Sequence, residues 1–457
     1  MLGFRYLLKV AGVEMITNNR SIRERMEFGQ MQRRKLKRSE QARWEEKKRT
    51  HDPIEIILAT NRERMPELVP IKMARMALSP FAFFRGDVGV MAADLAAIPS
   101  TGIAVQICGD AHVRNLGAYA APDGRLVFDI NDFDETIRAP WEWDLRRLGT
   151  SLVLSGREAN NSDRDCGQAV LNCAAVYREK MAEFCSMTCL EVAKYRIHRQ
   201  FFGATGSSVL QRAERATPAH LLATLTSPRG KPRVFRERKP VLMHPSKTTA
   251  KSVLSALKTY RETLPPPSQH LFDFYRPVDV AFKVVGTGSV GTHDYVVLHF
   301  AGDGVADPLF LQVKEAVQSA YAPYVNSPEI AVHQGERVVH GQRLSQFQSD
   351  LLLGWTCIAG TDYLVRQLSD HKASISDRDL EGQGLSEYAT LCGEVLARGH
   401  ARSGDPAVIA GYLGGNARWD KALAKFSLRY ADQTTKDYEL FKQAIRSGRI
   451  EPSRAYL

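Results

Sequence analysis

The feature that most constrains the fold is a block of strand-like segments between two helical stretches. The segments 278–285, 295–300 and 309–314 follow one another closely and are rich in β-branched and aromatic residues. The residues before and after this block place apolar side chains at helical spacing. We therefore predict an α+β protein with two lobes, a largely helical one and a smaller one built on an antiparallel sheet.

The order of these patterns divides the 457-residue chain into four segments. They are a basic helical arm at 1–50, a helical lobe at 51–265, a strand-rich lobe at 266–370 and C-terminal helices at 371–457, which we expect to pack on the helical lobe. The helices expected before the C-terminal segment are 16–50, 53–64, 141–157, 163–200, 248–263 and 331–353. The stretch 227–246 is rich in proline and basic residues, which predicts a loop near a lobe boundary.

The positive charge of the chain is concentrated in two places. The chain carries 62 Lys and Arg against 51 Asp and Glu, and residues 1–50 hold 14 of those bases but only 6 of the acids. Six more bases lie at 229–239. A basic arm is typical of proteins that bind nucleic acid or anionic lipid, but the basic run at 33–38 has no interleaved aromatic residues for stacking on bases. We therefore favour a solvated helix or a frayed tail, and expect no nucleic-acid partner.

The chain shows no segment that could span a membrane, since no stretch approaches about 18 uncharged apolar residues. Residues 1–13 resemble a signal peptide only superficially, because Arg5 and Lys9 interrupt the apolar run and no small-residue cleavage site follows. The seven cysteines include no C-x-x-C pair and are too few for a disulfide scaffold. We expect a cytoplasmic protein that starts at Met1 or Met15, with its oligomeric state left open.

Two polar motifs follow two expected buried strands. GDAHVRN at 109–115 comes after the strand at 103–107, and DINDFDE at 129–135 comes at the end of the strand at 126–130. Four carboxylates and an asparagine within seven positions repel one another unless cations compensate them. Oxygen ligands are those that Mg²⁺ prefers. We therefore predict a magnesium site; the alternative is a solvated acidic turn.

The spacing of these motifs resembles the aminoglycoside-phosphotransferase branch of the kinase-like superfamily. That branch has a G-D-x-H-x-x-N loop, then a strand ending in I-D, then a helix opening with D-L. The corresponding elements are 109–115, Phe128-Asp129 and Asp144-Leu145.

The resemblance implies a role for each residue of the two motifs. Asp110 and His112 belong to the catalytic loop, and Asp110 is the base that accepts the proton of the substrate hydroxyl. Asn115 holds one Mg²⁺ ion, and Asp129 is the main metal ligand, with Asp132 as the alternative.

The sequence VGTGSVG at 285–291 is a second candidate site. The strand-like residues that follow it predict strand, loop and strand, whereas a dinucleotide-binding fold needs a helix there. The layout resembles the glycine-rich loop of a kinase, which implies that Gly286, Gly288, Ser289 and Gly291 cover the phosphates of ATP. A plain hairpin with flexible glycines is the alternative.

The strand at 309–314 ends in Lys314. The kinase resemblance assigns Lys314 to the nucleotide phosphates, because kinases place a lysine on the strand after the glycine loop. We expect Glu336, in the following helix, to pair with Lys314, and Asp350 is a second candidate. A lysine at the rim of a sheet is the alternative.

These kinase-like elements stand in an unusual order. Kinases place the glycine loop and its lysine before the catalytic loop, whereas Asp110 lies about 175 residues before Gly286. Residues 396–400 resemble the helix end that normally precedes the catalytic loop, yet no such loop follows them. The resemblance therefore implies a two-lobed protein-kinase-like fold in circularly permuted form, with the C-lobe core first and the N-lobe later.

Over residues 20–450 the chain is identified as a member of the bacterial family termed domain of unknown function twenty-two fifty-two. The motifs that carry this resemblance are 69–71, 79–86, 109–117, 131–136, 140–144, 286–292, 314–316 and 397–405. Membership implies no known reaction. Arg85, in the motif SPFAFFRG, is expected to pair with Asp134 or Glu135, and binding of a phosphate is the alternative.

The combined motifs predict an ATP- and Mg²⁺-dependent phosphotransferase that acts on a hydroxyl of a small molecule or a protein. Two alternatives stay open. One is a metal-dependent hydrolase built on Asp110, His112, Asp129 and Asp132, and the other is a nucleotide-binding pseudokinase that serves as a regulatory module. The glycine loop with Lys314 favours nucleotide binding over the hydrolase.

Overall fold

The computed structural model describes residues 20–197, 203–227, 233–284, 286–302, 307–368 and 373–453. Helices α1 to α16 are, in chain order, Ile22–Met31, Pro53–Thr60, Val69–Met76, Pro80–Gly86, Gly89–Ala96, Glu142–Glu158, Asp163–Ser186, Cys189–Lys194, Gly203–Arg215, Pro218–Leu225, Lys247–Thr263, Pro266–Phe272, Gln334–Ser345, Gln383–Ser403, Pro406–Leu413 and Arg418–Arg446. Strands β1 to β13 are Ala104–Ile107, Leu116–Ala120, Leu126–Ile130, Ile137–Pro140, Thr226–Ser227, Val234–Phe235, Leu242–Met243, Tyr275–Lys283, Asp294–Ala301, Asp307–Glu315, Gly354–Ile358, Thr361–Gln367 and Ala373–Ser374. Our interpretation of the first 13 residues and of Met15, and part of the basic loop at 229–239, lie outside the described residues.

The largest sheet has the strand order β11-β12-β10-β9-β8-β7, and its neighbouring strands are antiparallel. Alternate residues of its strands face opposite ways, so that Val297 and Val313 pack on Tyr260 of α11 while Val296 packs with Leu222 of α10. The prediction of an α+β protein with an antiparallel sheet is confirmed. Helix α11 belongs to the core of the sheet, although the sequence placed it before the lobe boundary at 265.

The helical part surrounds a separate core built from both ends of the chain. Helix α6 lies at its centre, and Leu145, Leu148 and Leu152 are each 0% exposed, as their spacing predicted. Helix α7 and the C-terminal helices α14 and α16 pack around it. None of the helices in the described ranges is long and apolar enough to cross a membrane.

The basic arm is part of this fold over its described residues. It is α-helical only in α1, which begins at Ser21 with a capping box, and three short 3₁₀ helices at 32–34, 38–42 and 46–48 follow. Arg33 donates to the carbonyl oxygen of Tyr412 (2.9 Å) and Arg38 to that of Leu413 (2.6 Å). These guanidinium groups satisfy carbonyls at the end of α15, where the helix dipole favours positive charge. A frayed tail is therefore contradicted for residues 22–48, and the expected helix is confirmed only over 22–31, where most side chains are exposed and Gly29 is buried.

The helix expected at 331–353 is shorter than its pattern indicated. It ends at Ser345, and Gln346 is extended. The backbone N–H of Phe347 then donates to Asp129 Oδ2 at 2.8 Å, a bond to another part of the chain in place of the next helical one. A long-range partner of this kind leaves no local sequence signal.

Candidate functional site

Two cavities meet where the large sheet faces the helical part. The larger has a volume of about 590 Å³ and the smaller about 150 Å³. Asp132, Gly286, Ser289 and Lys314 line both of them, so the two form one continuous cleft. The smaller cavity is also lined by Asp110, His112, Asn115 and Gly288. The structure therefore brings together motifs that are about 175 residues apart in sequence.

The glycine-rich segment forms the tip of a hairpin between β8 and β9, where Phe282 lies opposite Tyr295. The prediction of strand, loop and strand is thus confirmed. Gly286 has φ +56° and Gly291 has φ +93°, both in the left-handed region that favours glycine. The turn also passes close to the segment that follows α2, because a Cβ on Gly291 would lie 2.9 Å from Cβ of Arg64.

Two arginines hold this loop against the helical part. Arg64 Nη1 donates to the carbonyl oxygen of Val290 at 2.6 Å, and Arg75 donates to the carbonyl oxygen of Gly286. The N–H of Met65 adds a bond of 2.8 Å to the carbonyl oxygen of Gly291. The loop is therefore tied over the cleft at both of its ends.

Lys314 points into the cleft and is 3% exposed, so it is not a rim lysine. Its ammonium group forms an ion pair with the carboxylate of Asp134. Burial acts to lower the pKa of Lys314, but Asp134 and Asp132 outweigh it and raise the pKa above its ordinary value. The lysine therefore carries a positive charge at the junction of the two cavities.

The expected partner of Lys314 is wrong. Glu336 lines neither cavity and lies 3.8 Å from His340 on its own helix. The neighbouring Arg337 anchors α13 by donating to the carbonyl oxygens of Asp134 (2.9 Å) and Val317 (2.8 Å), which fixes the face that Glu336 presents. The second candidate, Asp350, lines the larger cavity but accepts the N–H of Gln367 at 2.6 Å. Asp134 takes the position that was expected for Glu336.

The loop after β1 holds Asp110 between a cation and an imidazole. Arg147 Nε donates to Asp110 Oδ1 at 2.6 Å, and His112 Nε2 lies 3.6 Å from Asp110 Oδ2. His112 Nδ1 accepts the N–H of Arg114 at 3.2 Å, which assigns the ring proton to Nε2. Asn115 Nδ2 donates to the carbonyl oxygen of Asp110 at 3.0 Å and closes the loop.

The protonation of these groups follows from burial and neighbouring charge. Burial raises the pKa of Asp110 above its ordinary value, and Arg147 only partly offsets this. Burial, aided by Arg85 and Arg147, lowers the pKa of His112 well below its ordinary value. His112 is therefore neutral at pH 7, and Asp110 keeps 18% of its side chain exposed to the cleft.

Buried groups behind the loop fix its position. Asp144 accepts the N–H groups of Cys108 (2.9 Å) and Gly109 (3.0 Å). His400 Nε2 lies 3.2 Å from Asp144 Oδ2, and Tyr177 holds the other ring nitrogen of His400 at 2.8 Å. His400 is thus a structural residue, and Asp144 fixes the start of the motif at 109–115.

Asp129 does not face the cleft. It is 0% exposed and forms an ion pair with Arg398 of α14. It also accepts the N–H of Ile130 at 2.7 Å and the N–H of Phe347 at 2.8 Å. Asp132, three residues further on, lines both cavities. Of the two proposed metal ligands, the geometry therefore favours Asp132 and gives Asp129 a structural role.

Lys72 and Arg147 were not predicted from the sequence to be site residues. The partner predicted for Arg85 is wrong. Lys72 is 1% exposed and lines the smaller cavity together with Arg85. Arg85 pairs with neither Asp134 nor Glu135 and lies over the ring of Phe81 instead, 5.6 Å from its centroid. For Lys72 the signal in the sequence was a lysine within the helix VPIKMARM, among residues that are mostly apolar.

The donor set of the cleft fits Mg²⁺ held partly by a substrate. The described part of the chain contains no group of three or more His, Cys, Asp or Glu placed to hold a metal ion. Magnesium is usually bound by one or two carboxylates together with substrate phosphates. Asp132 and Asn115, both of which line the smaller cavity, are the predicted metal ligands that could hold such an ion there.

Comparison with known proteins gave one match. The family described as "uncharacterized protein conserved in bacteria" (DUF2252) matches residues 64–444, a range that contains Lys72, Asp110, Asp132 and Lys314. No curated protein and no solved structure matched the chain.

Proposed function

We propose that this chain, which belongs to the bacterial family DUF2252, is a kinase-like phosphotransferase that uses ATP and Mg²⁺ to phosphorylate a hydroxyl group. The observation that carries the proposal is the continuous cleft. Lys314, Asp132 and the glycine loop lie at the junction of its two cavities, and Asp110 lies in the smaller one. A nucleotide cavity, a phosphate-binding junction and a base are the parts that phosphoryl transfer needs.

The larger cavity would take the nucleoside. Its volume of about 590 Å³ falls within the roughly 300–1,000 Å³ of ligand sites. Gln312, Arg366 and Leu368 line it at the side of the sheet. From there a triphosphate would extend under the glycine loop to Lys314, whose charge is suited to its oxygens.

Asp132 and Asn115 would hold Mg²⁺ at the junction. The ion, when bound, neutralises charge on the phosphates. The paired charges of Lys314 and Asp134 place an ammonium group beside the same phosphates. Arg64 and Arg75 keep the glycine loop over them by binding its carbonyl oxygens.

Asp110 would act as the base. Arg147 holds Oδ1, which leaves Oδ2 to accept the proton of the acceptor hydroxyl. The acceptor oxygen bonds to the γ-phosphorus as the bond to the β–γ bridging oxygen breaks, and ADP leaves with that oxygen. A carboxylate whose pKa burial has raised is a stronger base for this step.

The proposal includes the permuted kinase-like fold. The glycine hairpin, the lysine strand β10, helix α13 and strands β11 and β12 follow one another in that order, as expected of the smaller kinase lobe. The catalytic-loop and metal motifs precede them in the chain. Their meeting in one cleft supports the permutation.

The test is binding of Mg²⁺-ATP followed by transfer. Nucleotide at 100 times its dissociation constant should stabilise the protein by about 2.7 kcal/mol in thermal unfolding. Asp110→Asn should keep this shift and lose transfer of the ³²P γ-phosphate to a library of hydroxyl acceptors. Asp432→Asn, the same change at a carboxylate that is 62% exposed, is the control.

Three outcomes would contradict or narrow the proposed phosphotransferase. The absence of any shift with millimolar Mg²⁺-ATP would exclude both the kinase and the pseudokinase. A shift without transfer to any acceptor would favour the pseudokinase. Wild-type transfer by Asp110→Asn would show that Asp110 is not the base.

A further inference from the structure

The smaller cavity contains two cations that the proposed transfer of phosphate leaves without a role. Lys72, on α3, makes no hydrogen bond or ion pair through its side chain with any described residue. Arg85, at the end of α4, likewise makes none, and its Nε is buried without a partner among the described residues. A buried polar group without a partner costs stability, so its presence requires an explanation.

The acids of this cavity offset these charges only in part, because within the described part of the chain no hydrogen bond or ion pair joins them to Lys72 or Arg85. Asp87 and Glu135 act to raise the pKa of Lys72, but burial outweighs them. Six carboxylates of the described residues line the cavity. Asp110 is bound to Arg147, Asp134 to Lys314, Glu135 to the N–H of Ala320, Glu315 to His293, and Asp87 to Thr60 and the N–H of Gly89, while Asp132 acts to raise the pKa of Lys314. Burial and the nearby Arg64 lower the pKa of Lys72 to about 7. Burial and Arg114 lower the pKa of Arg85 to about 10. An anion bound in the cavity that both side chains line would lower the cost of burying these charges.

Their position identifies the part of the reaction to which they belong. Lys72 and Arg85 line the cavity that contains Asp110, and neither lines the larger cavity. They come from α3 and α4, whereas the nucleotide would be held mainly by the sheet. A group bound to them therefore lies next to the base, on the side opposite the nucleoside.

We propose that the phosphoryl acceptor is an anionic small molecule, and that Lys72 and Arg85 bind its phosphate or carboxylate group while its hydroxyl faces Asp110. This inference rests on the proposed function and names the substrate class of the same site. The volume of about 150 Å³ suits a compact acceptor.

Titration calorimetry with inorganic phosphate on the full chain tests this proposal. We expect saturable binding to one site, without nucleotide and equally with Mg²⁺ and a non-hydrolysable ATP analogue present. Lys72→Met and Arg85→Met should each weaken phosphate binding at least tenfold and leave binding of the analogue unchanged. Lys421→Met, the same change at an exposed lysine on α16, should alter neither.

Other results would contradict either the anion site or the proposed function. If phosphate does not bind, or binds equally to both variants, the proposal is wrong. If the analogue displaces phosphate and both variants lose affinity for the analogue, Lys72 and Arg85 hold the γ-phosphate and the proposal is again wrong. If phosphate binds as expected but no nucleotide does, the anion site stands and the proposed function fails. Should Lys72→Met fail to fold, Arg85→Met decides.

Discussion

Replacing Lys72 by methionine is expected to stabilise the protein, whereas most substitutions at buried positions destabilise. The side chain is 1% exposed and its ammonium group has no partner among the described residues. Methionine keeps an unbranched apolar stem of similar length and removes the charge. The gain arises because a binding residue held ready for a ligand costs stability while the ligand is absent.

The size of the effect follows from the pKa. Burial first, and Arg64 second, lower the pKa of Lys72 from 10.5 to about 7, against the opposite influence of Asp87 and Glu135. The pKa difference between 10.5 and about 7 corresponds to about 5 kcal/mol of unfolding free energy as an upper bound. We expect Lys72→Met to raise the free energy of unfolding by about 2 kcal/mol or more.

The sign of the pH dependence is fixed by the lowered pKa. Below pH 7 Lys72 is charged in both the folded and the unfolded state, so folding carries the whole free-energy cost of burying the ammonium group. Between pH 7 and 10.5 the unfolded chain binds the extra proton, so the stability of the wild type rises with pH. The advantage of Lys72→Met should therefore shrink by up to about 1.4 kcal/mol per pH unit over this window.

Urea unfolding at pH 6.5, 8 and 9.5 measures this difference, taken from midpoints of transitions whose m-values agree. Lys421→Met, which changes an exposed lysine, should match the wild type at each pH. A Lys72→Met protein that is less stable than the wild type at pH 6.5, or an advantage that does not change with pH, would refute the idea of an uncompensated buried charge.

Three further changes test other parts of the structure. Asp129→Ala should destabilise the protein by about 3–5 kcal/mol in urea unfolding, because it leaves Arg398 buried without its partner; a loss below about 1 kcal/mol would contradict the structural role. The double change Arg64→Met and Arg75→Met should weaken Mg²⁺-ATP binding at least tenfold in calorimetry by releasing the glycine loop, and unchanged affinity would show that the tether is dispensable. Deletion of residues 1–14, which lie outside the described residues, should leave the melting temperature unchanged, because this segment lacks a periodic apolar face; a loss of several degrees would show that it packs on the core.

The sequence pattern was enough to predict those strands and helices whose formation depends on neighbouring residues. Alternating β-branched residues gave β8 to β10, and the positive φ of Gly286 and Gly291 explains why glycines stand in that hairpin. The helical spacing of Leu145, Leu148 and Leu152 placed α6 in the core.

The misassigned residues are those whose direction depends on distant parts of the chain. Asp129 and Asp132 are equivalent in a sequence, and only Arg398, 269 positions away, shows that the first is enclosed. The sequence allowed Glu336 as a partner for Lys314. It could not show that Arg337 binds the carbonyl oxygen of Asp134 and thereby fixes which face of α13 carries Glu336. Lys72 lies in no motif that the sequence analysis assigned to chemistry, and Arg85 was expected to pair with an acid of the 129–135 motif. That both lack a hydrogen bond or ion pair through the side chain among the described residues is evident only in the folded cavity.

The core of the helical part has a consequence for synthesis on the ribosome. Trp141 and Trp419 lie with ring centroids 5.2 Å apart, although the whole sheet is encoded between them. The strands β7 to β12 emerge as a continuous stretch and contain their own core, whereas α6 and α7 must wait for α14 and α16. Since Asp144 and His400 fix the loop that carries Asp110, the geometry of the cleft is completed only when nearly the entire polypeptide has left the exit tunnel.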